Sequence, residues 1–335
     1  MVFSISVSSG FCFKGMENQT YTDWVLILNP HAGAAKGSKD KEKIINILKN
    51  KGFSVDVYLS EYPKHIIKIT SELIKKGHRK IIMAGGDGSL NEVVNGIFSQ
   101  PEVPPEAITV AMIPVGTGND WIKTFAIPNN YKKAVNRIIK GKTIRQDVGK
   151  ISYEEKGSPA ICFFANMAGF GFDAMVAEKA NALKNKGRSG ILVYLQSLIA
   201  SFIQFQISKT RIVIDNEEIN DLIFSASIGI GKYNGGGMMQ APGAVPNNGE
   251  FQVTVIRKIG ILGILRNIVG LYDGSFVKDR RVSTHPAKHI KITSERSIAG
   301  EADGEILGNH SFEIEIIPQK LNVVRGKKLK FDLVL

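Results

Sequence analysis

The chain has 335 residues, enough for two domains with sizeable cores. Hydrophobic residues make up 43% and charged residues 22%, which excludes wholesale disorder. The net charge of +12 suits an anionic partner such as nucleotide phosphate, a lipid head group or nucleic acid, without choosing among them.

The first 15 residues are Ser- and Gly-rich and lack the charged segment and cleavage site of a signal peptide. Residues 1–23 are therefore set outside the fold, with Met16 as an alternative start. From Trp24 the pattern alternates. Trp24–Leu28 reads as a buried strand, Asp40–Lys51 as a helix with Ile44, Ile45 and Leu48 on one face, and Phe53–Tyr58 as a second strand. Lys64–Lys76 is again helical, and Lys80–Ala84 and Ile108–Ile113 are two more short strands, each ending in glycine-rich punctuation. This alternation predicts a parallel sheet with helices on its faces over residues 24–147.

Beyond Asp147 the texture changes. Arg211–Asp215, Asp221–Ile230, Phe251–Arg257, His289–Thr293, Phe312–Ile317 and Lys328–Leu335 are strand-like, and Phe251, Val253 and Val255 face one way. Asn248-Gly249 marks a tight turn. Residues 148–335 thus predict an antiparallel, sandwich-like β domain, with residues 321–335 free to return to the first domain. It carries two apolar helices, Ile191–Gln206 and Ile259–Leu271. The apolar stretch Gly190–Ile207 is interrupted by Gln196, Ser197, Ser201, Gln204 and Gln206, which reads as a buried or amphipathic helix instead of a membrane span. Cys12 and Cys162 have no spacing of a metal site or redox pair, and Cys162 falls in an apolar run.

Three loops carry the chemistry. Gly85-Gly86-Asp87-Gly88-Ser89-Leu90-Asn91-Glu92 follows a buried strand and opens a helix; small residues let a phosphate approach the backbone, and the amides of a helix start face that anion. An acid beside phosphate is repulsive unless a cation intervenes, so Asp87 suggests Mg²⁺ or a base. Gly116-Thr117-Gly118-Asn119-Asp120 follows another strand, and Asn29-Pro30-His31-Ala32-Gly33 follows the first. Each loop alone is compatible with an ordinary tight turn; all three converge on the carboxyl edge of one parallel sheet, where such folds bind ligands.

These three motifs, in this order, resemble the diacylglycerol kinase catalytic-domain family, which includes bacterial diacylglycerol kinases and sphingosine kinases, with NAD kinases as distant relatives. The resemblance continues through Asp147-Val148-Gly149, Ala168-Gly169-Phe170-Gly171-Phe172-Asp173-Ala174, Gly235-Gly236-Gly237 and Ala302-Asp303-Gly304-Glu305. It implies an α/β ATP-binding domain and a β-rich lipid-binding domain with the site between them. ATP would be held by Asn29 to Gly33, Ser60, Gly85 to Glu92, Gly116, Thr117, Asn119 and Asp120. Glu305 and Asp303 would be the catalytic carboxylates, Glu305 taking the proton of a lipid hydroxyl. Mg²⁺ would accompany ATP at Asp87. The implied location is cytoplasmic and peripheral at an anionic membrane, with no nucleic acid, and the oligomeric state is left open.

Two departures matter. The family commonly has an Asp-Gly pair near the glycine run that helps bind a structural Mg²⁺; here the pair is Asn248-Gly249, a poorer ligand set that leaves Val245, Asn248 and Glu250 as the matching positions. Where bacterial members often carry Arg after Asn-Asp, this chain has Lys123. Gly169 to Ala174 also fits a dinucleotide pattern, but no Asp or Glu follows between Lys179 and Ile214 to hold a ribose. Gly141-Lys142-Thr143 follows a helix instead of a strand and is no P-loop, and the six histidines form no metal-ligand spacing. A soluble acceptor such as NAD and a basic nucleic-acid-binding role stay open as alternatives. Aromatics at 8% and the lack of a nucleic-acid module argue against the last.

Overall fold

The computed structural model describes residues 22–185, 201–202, 204–296, 298–327 and 329. Strand β1 (Trp24–Leu28) lies between β2 (Asp56–Leu59) and β3 (Lys80–Gly85), and β4 (Thr109–Pro114) flanks β3, all parallel. Their near-continuous apolar runs follow from being covered on both faces. Alternation splits them: Val25, Ile27, Ile81, Met83, Val110 and Met112 pack to one side, and Leu26, Leu28, Ile82, Ala84, Ala111 and Ile113 to the other. The first side is covered by α2 (His65–Lys75), α3 (Asp87–Phe98) and the single turn α4 (Trp121–Thr124). The second is covered by α1 (Ala32–Lys49) and α5 (Tyr131–Lys140).

The helix predicted over Asp40–Lys51 starts earlier, because an Ala-, Gly- and Ser-rich first half gives no apolar period to read. Phe53–Tyr58 was expected as a strand; pairing with β1 begins only at Asp56.

The second half is an antiparallel sandwich. β5 (Thr143–Glu155) pairs with β6 (Ser158–Phe164); β7 (Met167–Gly171) leads into α6 (Phe172–Asn185). β8 (Ser208–Ile214), β9 (Glu217–Gly229), β10 (Phe251–Arg257), β11 (Val282–Ala287), β12 (His289–Ser294), β13 (Ile298–Ala302), β14 (Glu305–His310) and β15 (Phe312–Val324) complete it. Phe251, Val253 and Val255 face one core together with Phe170, Ile228 and Phe312. Helix Ile261–Asp273 lies outside that core.

β15 joins the halves. Its first part pairs antiparallel with β12 and β5, and Asn322 and Val323 pair in parallel with Thr109 and Val110 of β4. β5 runs unbroken across residues 147 and 148. The predicted helix Ile191–Gln206, the strand over Lys328–Leu335, Cys12 and Met16 lie wholly or mostly outside the described residues.

Candidate active site

The carboxyl edge of the parallel sheet gathers the three loops. Asn29 closes on the chain through its N–H to the Ala84 carbonyl (3.0 Å), and its Nδ2 donates to Ser89 Oγ at 2.9 Å. His31 N–H donates to Asn29 Oδ1 at 2.9 Å, and the His31 side chain is exposed. Pro30 accepts the Ser38 amide at 2.8 Å, so the loop folds onto α1. Gly33, Ala34 and Ala35 all take left-handed angles (φ 62°, 56° and 66°). Left-handed backbone costs an L-residue about 1–2 kcal/mol, so two alanines held there mark a loop shaped by more than local preference. At Gly33 a Cβ would stand 2.3 Å from the Val115 carbonyl, so no other residue fits.

The second and third loops touch each other. Val115 and Gly116 N–H both donate to the Gly85 carbonyl, at 2.7 and 3.1 Å. A Cβ on Gly116 would meet Gly86 Cα at 2.6 Å. Thr117 stands exposed at the tip, and Ser60, at the end of β2, closes the same edge with its N–H on the Leu28 carbonyl at 3.1 Å.

Three acids of these motifs act as staples. Asp87 Oδ2 and Oδ1 accept the Asp120 and Trp121 amides at 3.0 and 3.1 Å, fixing the third loop against the start of α3. Loss of water around it, and then the Asp120 carboxylate, push Asp87 up to about 6, against the pull of those two amides. Asp120 in turn accepts the Gly236 amide at 2.7 Å and Lys123 Nζ at 2.5 Å, which brings the glycine run of the second half onto the Asn-Asp motif. Lys123 thus holds the loop by an ion pair. Asp303 Oδ1 accepts the Asn166 and Met167 amides at 3.0 and 2.9 Å, and Oδ2 accepts the Ala165 amide at 2.8 Å and Asn91 Nδ2 at 3.2 Å.

Some predicted nucleotide contacts face elsewhere, because a helix turns 100° per residue and carries them off the cradle. Leu90 is in the core; Asn91 Nδ2 also donates to the Phe163 carbonyl at 2.9 Å; and Glu92 caps α2 by accepting the Ile66 amide at 3.0 Å. Asn119, at φ 49°, spends its Nδ2 on the Gly116 carbonyl at 2.7 Å and keeps the loop's shape.

Glu305 differs from these acids. It begins β14 beyond the Asp303-Gly304 turn, and a Cβ on Gly88 would stand 3.4 Å from its Oε1. Among the described residues no hydrogen bond to its carboxylate is formed. An open acid from the second half therefore lies over the amino end of α3.

Two family models match the chain: "Diacylglycerol kinase catalytic domain" over residues 23–151, and "YegS C-terminal NAD kinase beta sandwich-like domain" over residues 166–325. Residues 23–151 thus match the diacylglycerol kinase catalytic domain, and residues 166–325 match a sandwich-like domain described by its likeness to NAD kinase. A diacylglycerol kinase of Staphylococcus carnosus (strain TM300) is 25% identical over 305 residues, covering 91% of this chain and 95% of that one. In fold, the chain is similar to a diacylglycerol kinase crystal structure from Bacillus anthracis str. Sterne (TM-score 0.66, 21% identity, 90% and 96% covered). It is also similar to yeast NADH kinase (TM-score 0.53, 13% identity, 91% and 83% covered).

Two further acids near this cleft were not among the site residues expected from the sequence. Glu301 is buried and accepts the Gly304 amide at 2.7 Å, and Asp173 is held by Ser227 Oγ at 2.7 Å. Both flank Gly169, where a Cβ would stand 2.8 Å from Glu301 Oε1 and 3.0 Å from Asp173 Cβ. Asp173 stands in the Ala168–Ala174 segment that carries the resemblance, where the sequence alone assigns it no role. Burial pushes Glu301 up to about 8, the Gly304 amide opposing and Asp303 and Asp173 adding to it. The folded form then holds this proton more tightly than the unfolded chain, so its contribution to stability falls as pH rises from about 4.5 to about 8. The melting-temperature gain of Glu301→Gln over wild type is expected to grow across that range. A pH-independent difference would show that Glu301 is not held protonated.

The implied structural magnesium site does not fit the residues present. Asn248 is exposed and its Oδ1 accepts the Glu250 amide at 3.1 Å, while the nearby buried Asp147 spends its carboxylate on the Gly249 and Gln319 amides, both at 2.8 Å. Among the described residues no cluster of three metal-ligating acids, histidines or cysteines occurs. Chelating Mg²⁺ from nucleotide-free protein is expected to leave its melting temperature unchanged; a clear fall would locate a metal site here.

Proposed function

We propose that this chain transfers the γ-phosphoryl group of ATP to the hydroxyl of diacylglycerol or a related lipid alcohol, with Glu305 as general base. The single observation that carries the reading is the open Glu305 carboxylate beside Gly88, at the start of the phosphate-shaped helix end. ATP phosphates would lie on the amides of Gly33, Gly86, Gly88 and Thr117, where side chains larger than hydrogen are excluded at Gly33 and Gly116. Magnesium carried by the nucleotide would neutralise charge on the transferring group. Asp87, whose oxygens each accept one amide and keep further acceptor capacity, is the carboxylate placed to meet it.

Glu305 takes the proton of the lipid hydroxyl as its oxygen attacks the γ-phosphorus; the bond to the β-phosphate oxygen breaks, leaving ADP and a phosphorylated lipid. Asp303 is a positioning residue that holds the turn carrying Glu305.

An apolar pocket supports a lipid acceptor. Phe172, Phe224, Ile256, Ile264 and Leu271 line it, with Asp173 and Ser227 among its polar residues. Asp173 adjoins Gly169 and Glu301, and Glu301 accepts the Gly304 amide in the turn before Glu305. The hydrocarbon of the acceptor would lie in the pocket. Ile264→Trp, which fills the pocket, is expected to raise KM for a long-chain diacylglycerol about tenfold with KM for ATP unchanged; an unchanged lipid KM would place the chain elsewhere.

The acceptor class is tested by competition. With Mg·ATP limiting, diacylglycerol and NAD are offered together, and the phosphorylated product is expected to be lipid. Phosphorylated NAD as the sole product would refute the lipid reading.

A further inference from the structure

Helix Ile261–Asp273 has two apolar sides. At 100° per residue, Ile264, Asn267 and Leu271 fall on one side, and all three line the apolar pocket. Leu262, Arg266 and Val269 fall on the other, with Tyr272 adjoining them. Leu262 is 80% exposed, Val269 74% and Tyr272 38%. The two most exposed large apolar side chains of the described residues thus stand on one stripe of one helix. Leu222, itself 36% exposed, adjoins its base, since its carbonyl accepts the Lys258 amide at 2.8 Å.

On the helix and within a few residues of its ends, the exposed charges are mostly positive. Lys258, Arg266, Lys278 and Arg280 are exposed, and none of them makes an ion pair among the described residues. Of the acids nearby, Asp279 is taken by Arg281 at 2.6 Å and Asp221 by Arg257 at 3.3 Å, leaving Asp273 as the exposed counter-charge.

We propose that this outer face is the surface by which the protein docks on an anionic phospholipid bilayer. Leu262 and Val269 enter the boundary between head groups and acyl chains, and the four cations meet phosphate and carboxylate groups around them. At 13 residues the helix is about 20 Å long, short of the roughly 30 Å hydrocarbon core, so it lies in the interface and does not cross. No helix of the described residues is long and apolar enough to span a membrane. The inner side of the same helix lines the pocket, so docking would hold the pocket one helix away from the source of its lipid. The choice of a bilayer as occupant rests on the lipid-kinase reading, on charge complementarity and on this continuity.

The test uses the full chain, its double variant Leu262→Glu/Val269→Glu and the single variant Arg266→Glu, each with a melting temperature matching wild type. Sedimentation with vesicles of phosphatidylcholine, with and without phosphatidylglycerol, reads binding directly. Wild type is expected to bind the anionic vesicles and the double variant at least about tenfold more weakly, with Arg266→Glu weakened most at low salt. Turnover of diacylglycerol in vesicles should fall in parallel, while turnover of a dispersed short-chain diacylglycerol stays at the wild-type rate. Equal vesicle binding by all three proteins would overturn the proposal and leave the kinase reading standing. So would a wild-type dimer that the double variant converts to monomer, since a second copy would then own the face. If wild type phosphorylates neither lipid, the kinase reading fails, and vesicle binding alone still decides the docking face.

Discussion

Glu305→Gln is expected to lower turnover by about a thousandfold with nucleotide affinity and melting temperature unchanged, the range in which general-base catalysis operates. Its carboxylate accepts no hydrogen bond among the described residues, so the amide leaves no buried donor stranded. Gln keeps the side-chain size beside Gly88 and removes only the ability to accept a proton. Single-turnover kinetics with saturating Mg·ATP measure this directly. Turnover within a few-fold of wild type would remove Glu305 from the chemistry, and lost nucleotide binding would make it a cradle residue instead.

Asp303→Asn, two residues away, is expected to do something different. Four donors converge on the Asp303 carboxylate: three backbone amides from Ala165, Asn166 and Met167, and Asn91 Nδ2. An Asn side chain turns one acceptor oxygen into a donor facing two of them. Stranding such groups costs about 3 kcal/mol, which for a chain of this size lowers the melting temperature by about 4 °C. Turnover should fall as well, because the strand start carrying Glu305 hangs from this turn. The contrast separates the two carboxylates. A Glu305→Gln protein melts like wild type and does not turn over, whereas an Asp303→Asn protein melts early. An Asp303→Asn protein with wild-type stability and abolished turnover would make Asp303 a chemical participant.

What the sequence could and could not show follows from the kind of signal each feature leaves. The parallel half was legible because its strands are buried on both faces and read as apolar runs, and because glycine must stand where loops touch, as at Gly33 and Gly116. Phe251, Val253 and Val255 were legible by alternation. β13 and β14 were not: Ile-Ala-Gly-Glu-Ala and Glu-Ile-Leu-Gly-Asn-His contain polar and glycine residues without a clear period. The roles of the acids were the least legible. Asp87, Asp120 and Asp303 stand in motifs that invite a catalytic reading, yet each accepts at least one backbone amide brought from a distant part of the chain. Only three-dimensional placement separates a stapling carboxylate from the open one at Glu305. Glu301 likewise looks like any glutamate until its burial is known.

The most direct test of the central claim is to incubate the protein with γ-labelled ATP, Mg²⁺ and a detergent-dispersed lipid extract, alongside Glu305→Gln. A labelled lipid formed by wild type and absent with the variant is the predicted result, and its identity names the acceptor. No labelled lipid despite tight ATP binding, or equal labelling by both proteins, would contradict the account.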